Sequence, residues 1–352
     1  GGSTSSGEFY MLMGIVPIHG AGDMLSTIGE NNYFTMGNQM QRLDYFTACF
    51  HNGERCFYNR DLTHENLGFN YYLALGNGLE TMTENSYVSD TDLLCNTLDT
   101  YIDKQPFCTY YMTIDGHSNY NASGVWKVVN NRDKVRSVIG DSHSELVFNY
   151  YCYQMELENA LTALIDKLEE KGIAQDTVIA LTSDHYPYGL AYGHSGNAAD
   201  YIAELYGHSS SGHLNLDKNA MIIWSGCLEE GGDYHDLQCE IKTPTYSLDM
   251  LPTLSNLFGL EYDSRFLVGR DVFSDQVAQV VWIDYSWLSD KGYYNAPTQT
   301  FTPTNPNETV SQEYIDSMCK IAENKINFSN QILAYDYYRH VFGEDTITNT
   351  NK

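Results

Sequence analysis

The sequence is poor in positive charge: 19 Lys and Arg stand against 46 Asp and Glu, a formal net charge of −27 over 352 residues. Such a surface repels phosphate backbones, which argues against nucleic-acid binding through a basic face. Long hydrophobic runs are missing as well. None approaches the roughly 18 residues of a spanning helix, so the chain is expected to be soluble. No basic stretch precedes an apolar one in the manner of a secretory signal, and no Met initiates the chain. The start at Gly1-Gly2-Ser3-Thr4 reads as a piece cut from something longer. Cysteine is sparse, eight residues without a CxxC pair, which excludes a disulfide-built scaffold and gives no sign of a structural zinc cluster. Cys49/Cys56 and Cys227/Cys239 can each close a short loop in an oxidising medium, and read equally well as small buried hydrophobes. Internal repeats and low-complexity tracts are absent.

What is present is enough apolar and aromatic material for a sizeable core, with 29 Tyr and 14 Phe. At about 150 residues per domain the length fits one large domain with an appendage, or two. The abundance of Tyr, Asn, Ser and Thr with few Lys fits an extracytoplasmic surface. A β-prone run, Cys108 to Ile114, ends at the turn Asp115-Gly116-His117. From Tyr150 to Lys171 the apolar residues Leu157, Leu161, Leu164, Ile165 and Leu168 mark one face of a helix, stopped by Gly172. The continuous apolar run Thr177–Thr182 suits a strand of a parallel sheet covered on both faces. A further run, Ala220–Trp224, and a helix, Leu248–Phe258, follow. Alternating strands and helices predict an α/β sheet with active groups at strand carboxyl ends. Past Ser274 the texture changes: residues 294–309, rich in Pro, Thr and Asn, read as a linker or surface loop. A final helix over about 311–342 places Ile315, Met318, Ala322 and Ile326 on one face and loses register before Ile332.

Four segments carry candidate chemistry. Asp184 and His185 sit side by side in the turn after an apolar strand, where both can reach one divalent metal. An Asp-His turn with solvated side chains is the plainer reading of that pair taken alone. Ser3-Thr4-Ser5-Ser6-Gly7-Glu8-Phe9 reads as a capped helix start; a Thr there becomes a nucleophile if a bound metal lowers its pKa, and free helix N–H groups favour an anion. The stretch Phe50–Asp61, expected to be polar and irregular, holds His51, Tyr58 and Arg60; an Arg fork clamps phosphate, while His and Tyr donate to hydroxyls. Its alternative is a surface loop with Arg60 paired to Asp61 or another of the many acids. His117, after the strand ending at Ile114, is a candidate general acid or donor to a leaving group, or a satisfied turn histidine. His194, His208 and His213 lie in a Gly/Ser-rich stretch with no zinc spacing.

The order of these segments, continued by Ser247-Leu248-Asp249-Met250-Leu251-Pro252-Thr253-Leu254 and Gly269-Arg270-Asp271, resembles the extracellular domain of the lipoteichoic acid synthase family, within the alkaline phosphatase and sulfatase superfamily. The resemblance runs from Gly1 to about Ser274. It implies a three-layer α/β/α sandwich over residues 1–275, lacking its first strand, and a small C-terminal α+β subdomain over 276–352. It makes Thr4 the nucleophile and a metal ligand, Asp184 and His185 the other ligands of a manganese or magnesium ion, and His51, Tyr58, Arg60 and His117 the lining of a glycerophosphate pocket. The reaction implied moves glycerophosphate from phosphatidylglycerol to a cell-envelope polymer through a covalent Thr intermediate, at the outer face of the cell membrane, with this piece monomeric. A phosphodiesterase, phosphoethanolamine transferase or sulfatase-like hydrolase, or a catalytically degenerate envelope protein, are the alternatives. The chain departs from the family pattern at Tyr58, commonly Trp; at Ser3, where a basic residue can precede the nucleophile; and at Pro187, where Gly is expected. The family's further ligand Glu and its membrane bundle lie upstream of Gly1, so weak metal binding is expected.

Overall fold

The computed structural model describes residues 3–17, 27, 30–83, 87–190 and 198–343. In chain order its α-helices of five residues or more are α1 (Thr4–Glu8), α2 (Met36–Gln41), α3 (Arg60–Asn66), α4 (Asp90–Leu98), α5 (Trp126–Ile139), α6 (Glu145–Glu170), α7 (Ala198–Tyr206), α8 (Met250–Leu257), α9 (Gln312–Tyr335) and α10 (Tyr337–Phe342). The strands are β1 (Phe46–Glu54), β2 (Tyr71–Leu75), β3 (Phe107–Met112), β4 (Val178–Thr182), β5 (Met221–Ser225), β6 (Val280–Val281), β7 (Trp287–Leu288), β8 (Gly292–Asn295) and β9 (Thr300–Pro303). Two compact units result, one from Tyr45–Asp61 with Asn70–Leu237, the other from Gly2–Asp44, Leu62–Phe69 and Gln238–Lys352.

The first unit holds a parallel sheet in the order β2-β1-β3. Its central strand is buried over six consecutive residues from Thr47 to Asn52, polar ones included, which overturns the irregular stretch expected there. The pairing with β2 shifts register between Phe50 and Glu54, so the strand bends where its polar residues begin. Ala48 and Phe50 join Leu93, Leu94 and Leu98 of α4 and Ala160 and Leu168 of α6 in one core. The Ser89 hydroxyl and Asp92 carboxylate form a capping box on α4, and Ser144 caps α6, which therefore starts five residues before the expected Tyr150. β4 pairs antiparallel with β5 and is half-buried throughout, not a parallel strand covered on both faces. Its apolar run packs through Ile179 onto the core rather than being enclosed by it.

In the second unit, α1 runs into a π turn, Phe9–Met13, that ends at left-handed Gly14. α9 buries Ile315, Met318, Ala322, Ile326, Ser329 and Ile332. The register is not lost before Ile332: Ser329 occupies the intervening position and its Oγ accepts the Val16 N–H at 2.9 Å. The helix breaks at Asp336, a left-handed residue, before α10. Residues 294–309 are only in part a surface loop. β8, which ends at Asn295, and β9 close an antiparallel four-stranded sheet β6-β7-β8-β9, whose Trp287 stacks on Tyr294 and packs with Ile315 and Met318 of α9. None of the eight cysteines is in a disulfide. No described helix is long and apolar enough to cross a membrane.

Candidate functional site

In the first unit, three histidines sit at or beyond strand carboxyl ends, and each ties its Nδ1 to a backbone carbonyl. His51 on β1 bonds Met112 O at 2.8 Å, His117 bonds Ser118 O at 3.1 Å and His185 bonds Tyr186 O at 2.8 Å. A carbonyl only accepts, so Nδ1 donates in all three and Nε2 is left as the acceptor of the neutral ring. A Cβ at Gly53 would lie 2.4 Å from His51 Nε2, so glycine is what gives that ring its space.

His185 Nε2 is buried and makes no hydrogen bond, yet stands 3.2 Å from Asp184 Oδ2. A ring nitrogen acceptor this close to a carboxylate oxygen is unfavourable unless a proton or a cation is shared by the two. The donor pair therefore fits two positions of a divalent metal site, although no cluster of three or more His, Cys, Asp or Glu ligands forms among the described residues. His117 is drawn to the same place: the Tyr188 ring lies 4.3 Å from the His185 ring and meets His117 edge-on at 6.5 Å. Pro187, at the departure from the family pattern, opens the helical turn Tyr188–Leu190, its carbonyl accepting the Leu190 N–H at 3.0 Å.

Tyr58 and Asn59 both take left-handed backbone and so turn the chain from β1 into α3, which Arg60 begins. Arg60 is 1% exposed. Its guanidinium lies 5.9 Å from the Phe57 ring and 5.4 Å from the Tyr58 ring, with Nη1 donating to Phe57 O at 3.4 Å. Asp61 approaches Arg55, at 4.0 Å.

Sequence reasoning missed the buried network beneath His51 and His117. The Asp90 carboxylate accepts from Asn52 Nδ2 at 2.8 Å, Ile114 N at 3.0 Å and Asp115 N at 3.2 Å. Asp115 accepts the Asp90 N–H at 2.6 Å and the Tyr87 hydroxyl, and pairs with Lys127 Nζ at 2.7 Å. Burial pushes both carboxyls up, against the pull of Lys127. The ends of β1 and β3 are thus locked together. The capping box at Ser89 was the one local signal near Asp90; nothing local links Asp90 to Asp115.

In the second unit, Thr4 is the first residue of α1 and is partly exposed, while Ser5, Ser6, Gly7 and Glu8 behind it are buried. Glu8 and His64 form a buried pair at 3.4 Å that anchors this helix. The segments Ser247–Leu254 and Gly269–Asp271 meet here and are structural. Asp249 Oδ1 accepts the Arg270 N–H at 2.8 Å, Thr253 Oγ1 accepts the Val272 N–H at 3.1 Å, and a Cβ at Gly269 would strike Leu248 O at 2.0 Å. His213 pairs with Asp217 at 2.9 Å and His208 donates to Ser209 O at 2.9 Å, both in the first unit, and His194 lies outside the described residues.

The chain is similar to a lipoteichoic acid synthase of Staphylococcus saprophyticus, 25% identical over 317 residues that cover 86% of this chain and 45% of that protein. The chain spans about half the length of the curated relatives it matches. Among solved structures, the lipoteichoic acid synthase LtaP of Listeria monocytogenes matches with a TM-score of 0.71 at 19% identity, over 94% of this chain and 80% of that one. A protein of the alkaline phosphatase superfamily from Vibrio parahaemolyticus matches with a TM-score of 0.61 at 17% identity, over 96% of this chain and 77% of that one. These likenesses give the chain the α/β fold of the alkaline phosphatase and sulfatase type, as the order of its motifs implied. Residues 1–260 match the Sulfatase family model, and by that match over most of its length the chain belongs to the sulfatase family.

Proposed function

We propose that the full-length protein is a glycerophosphotransferase of the cell envelope, with residues 1–275 as its catalytic domain and 276–352 as a C-terminal subdomain. Thr4 Oγ1 attacks the phosphorus of a phosphatidylglycerol-type lipid, and the P–O bond to the diacylglycerol breaks as the leaving oxygen takes up a proton. A hydroxyl of the envelope polymer then attacks the same phosphorus and Thr4 leaves, regaining its proton. Thr4, Asp184 and His185 would hold a divalent ion, manganese or magnesium, which when bound lowers the pKa of a hydroxyl and offsets phosphate charge. Arg60 supplies the donors for the non-bridging phosphate oxygens, His51 and Tyr58 orient the glycerol, and His117 serves the leaving group. The observation that carries this reading is the buried His185 Nε2, without a hydrogen bond, 3.2 Å from the Asp184 carboxylate.

The protein is proposed to act from the outer face of the cell membrane, with the segment described here as a monomer. A head-group release assay on the full-length protein with fluorescent phosphatidylglycerol tests the reading. Release that Thr4→Ala abolishes is the expected result. Absence of release together with hydrolysis of a generic phosphodiester would overturn it in favour of a phosphodiesterase, and absence of both in favour of a degenerate envelope protein.

A further inference from the structure

His185 can serve as a metal ligand only if its ring is held so that the Nε2 lone pair points at the ion, because that lone pair is directional. The Nδ1–H bond to Tyr186 O fixes one edge of the ring at 2.8 Å. A single hydrogen bond still permits the imidazole to tilt about it. The face of the ring is covered by Tyr188, at 4.3 Å between centroids and 34° between planes.

Tyr188 is itself firmly placed. Its N–H donates at 2.7 Å to Tyr186 O, the carbonyl that also receives the His185 proton, so both residues hang from one acceptor. Leu190, two residues on, is fully buried in the core around Tyr120 and Tyr153. Between them, a Cβ on Gly189 would lie 2.3 Å from the Ser118 Cβ, so this turn lies hard against the segment that carries His117.

We propose that Tyr188 is a positioning residue: its ring, not its hydroxyl, sets the orientation of the His185 imidazole toward a divalent cation. The inference rests on the reading of Asp184 and His185 as metal ligands. Partners that orient a ligating histidine are worth roughly 10–100-fold in metal affinity.

The test is a Mn²⁺ titration of the 352-residue chain followed by water-proton relaxation, on wild type, Tyr188→Leu, Tyr188→Phe and His185→Ala. Tyr188→Leu keeps most of the volume and removes the aromatic face. Binding weakened about tenfold in Tyr188→Leu and retained in Tyr188→Phe is the expected result. Wild-type binding in Tyr188→Leu beside a loss in His185→Ala would overturn the positioning role and leave the metal ligands standing. A loss in Tyr188→Phe equal to that in Tyr188→Leu would assign the effect to the hydroxyl and overturn the stacking account. No difference between wild type and His185→Ala, whether both bind or neither does, would remove the metal reading and this proposal with it. Thermal unfolding accompanies each titration. Should Tyr188→Leu not fold, Tyr188→Met, also ringless and of similar reach, takes its place with the same outcomes.

Discussion

Lys127 is largely buried over the rings of Tyr87, Trp126 and Tyr153, with its Nζ 2.7 Å from the fully buried Asp115 carboxylate. Removing one partner of such a pair strands the other charge out of water. Lys127→Met is therefore expected to lower stability by about 3–5 kcal/mol, read as the shift of the urea midpoint, and Lys127→Met with Asp115→Asn to cost less than the single change. A second titratable pair sits in the other unit, where Lys325 Nζ donates to Tyr246 OH at 3.2 Å and to Gln279 O at 3.3 Å. Burial pushes the Asp249 carboxyl up to about 6 and the Lys325 ammonium down to about 8. For Asp249 the native state keeps a proton that the unfolded chain has already lost. The stability this supplies is full below about pH 4 and is lost as pH rises through about 6. Lys325 works the other way: above about pH 8 the unfolded chain holds the extra proton, so stability rises with pH toward about 10.5. Urea unfolding across pH 4–8 should show wild type losing ground against Asp249→Asn up to about pH 6 and running parallel to it beyond. A difference constant over the whole range would contradict this.

Elements with strong period and clear caps were legible in the sequence; those built on buried polar residues were not. β3, β4, β5 and α8 lie within a residue or two of where apolar runs and Gly stops place them. β1 was read as irregular because His51 and Asn52 are polar, yet both are buried and hydrogen-bonded at its end. The β8–β9 hairpin escaped because its strands, Gly-Tyr-Tyr-Asn and Thr-Phe-Thr-Pro, carry little aliphatic character and cover the core mainly with tyrosine and phenylalanine rings. In α9 a serine stands where the periodicity asks for an apolar residue. Because that serine satisfies the buried Val16 N–H, Ser329→Ala should cost about 1–3 kcal/mol in spite of its better helix propensity, as an equilibrium unfolding measurement would show. At the candidate site, Asp184, His185 and His117 stood out in the sequence by their places after apolar strands, and the structure sets all three around the Tyr188 turn. Tyr188 and the Asp90–Asp115 network did not stand out, since what joins them is tertiary contact between segments remote in sequence.

The whole molecule sets the field in which any phosphate must approach. With a net charge of −27 the long-range potential is repulsive, and attraction to an anionic head group has to be local, from Arg60 and a bound cation. Raising ionic strength from about 0.01 to 0.15 M shortens the screening length from about 30 to 8 Å, so glycerophosphate binding should tighten over that range; weakening from the start would contradict the picture. The units also have a temporal meaning, because neither is contiguous in the chain. The segment that carries Thr4 finds its partners far downstream: Gly14 O accepts from Val268 N at 3.2 Å, Val16 N donates to Ser329 Oγ at 2.9 Å and Asn32 N donates to Asp336 at 2.7 Å. Synthesis proceeds from the amino end, and loop closure over some 300 residues is slow to complete. The residue proposed to do the chemistry is thus made well before the elements that secure its helix, so a chain halted before α9 would emerge with that nucleophile helix unsupported.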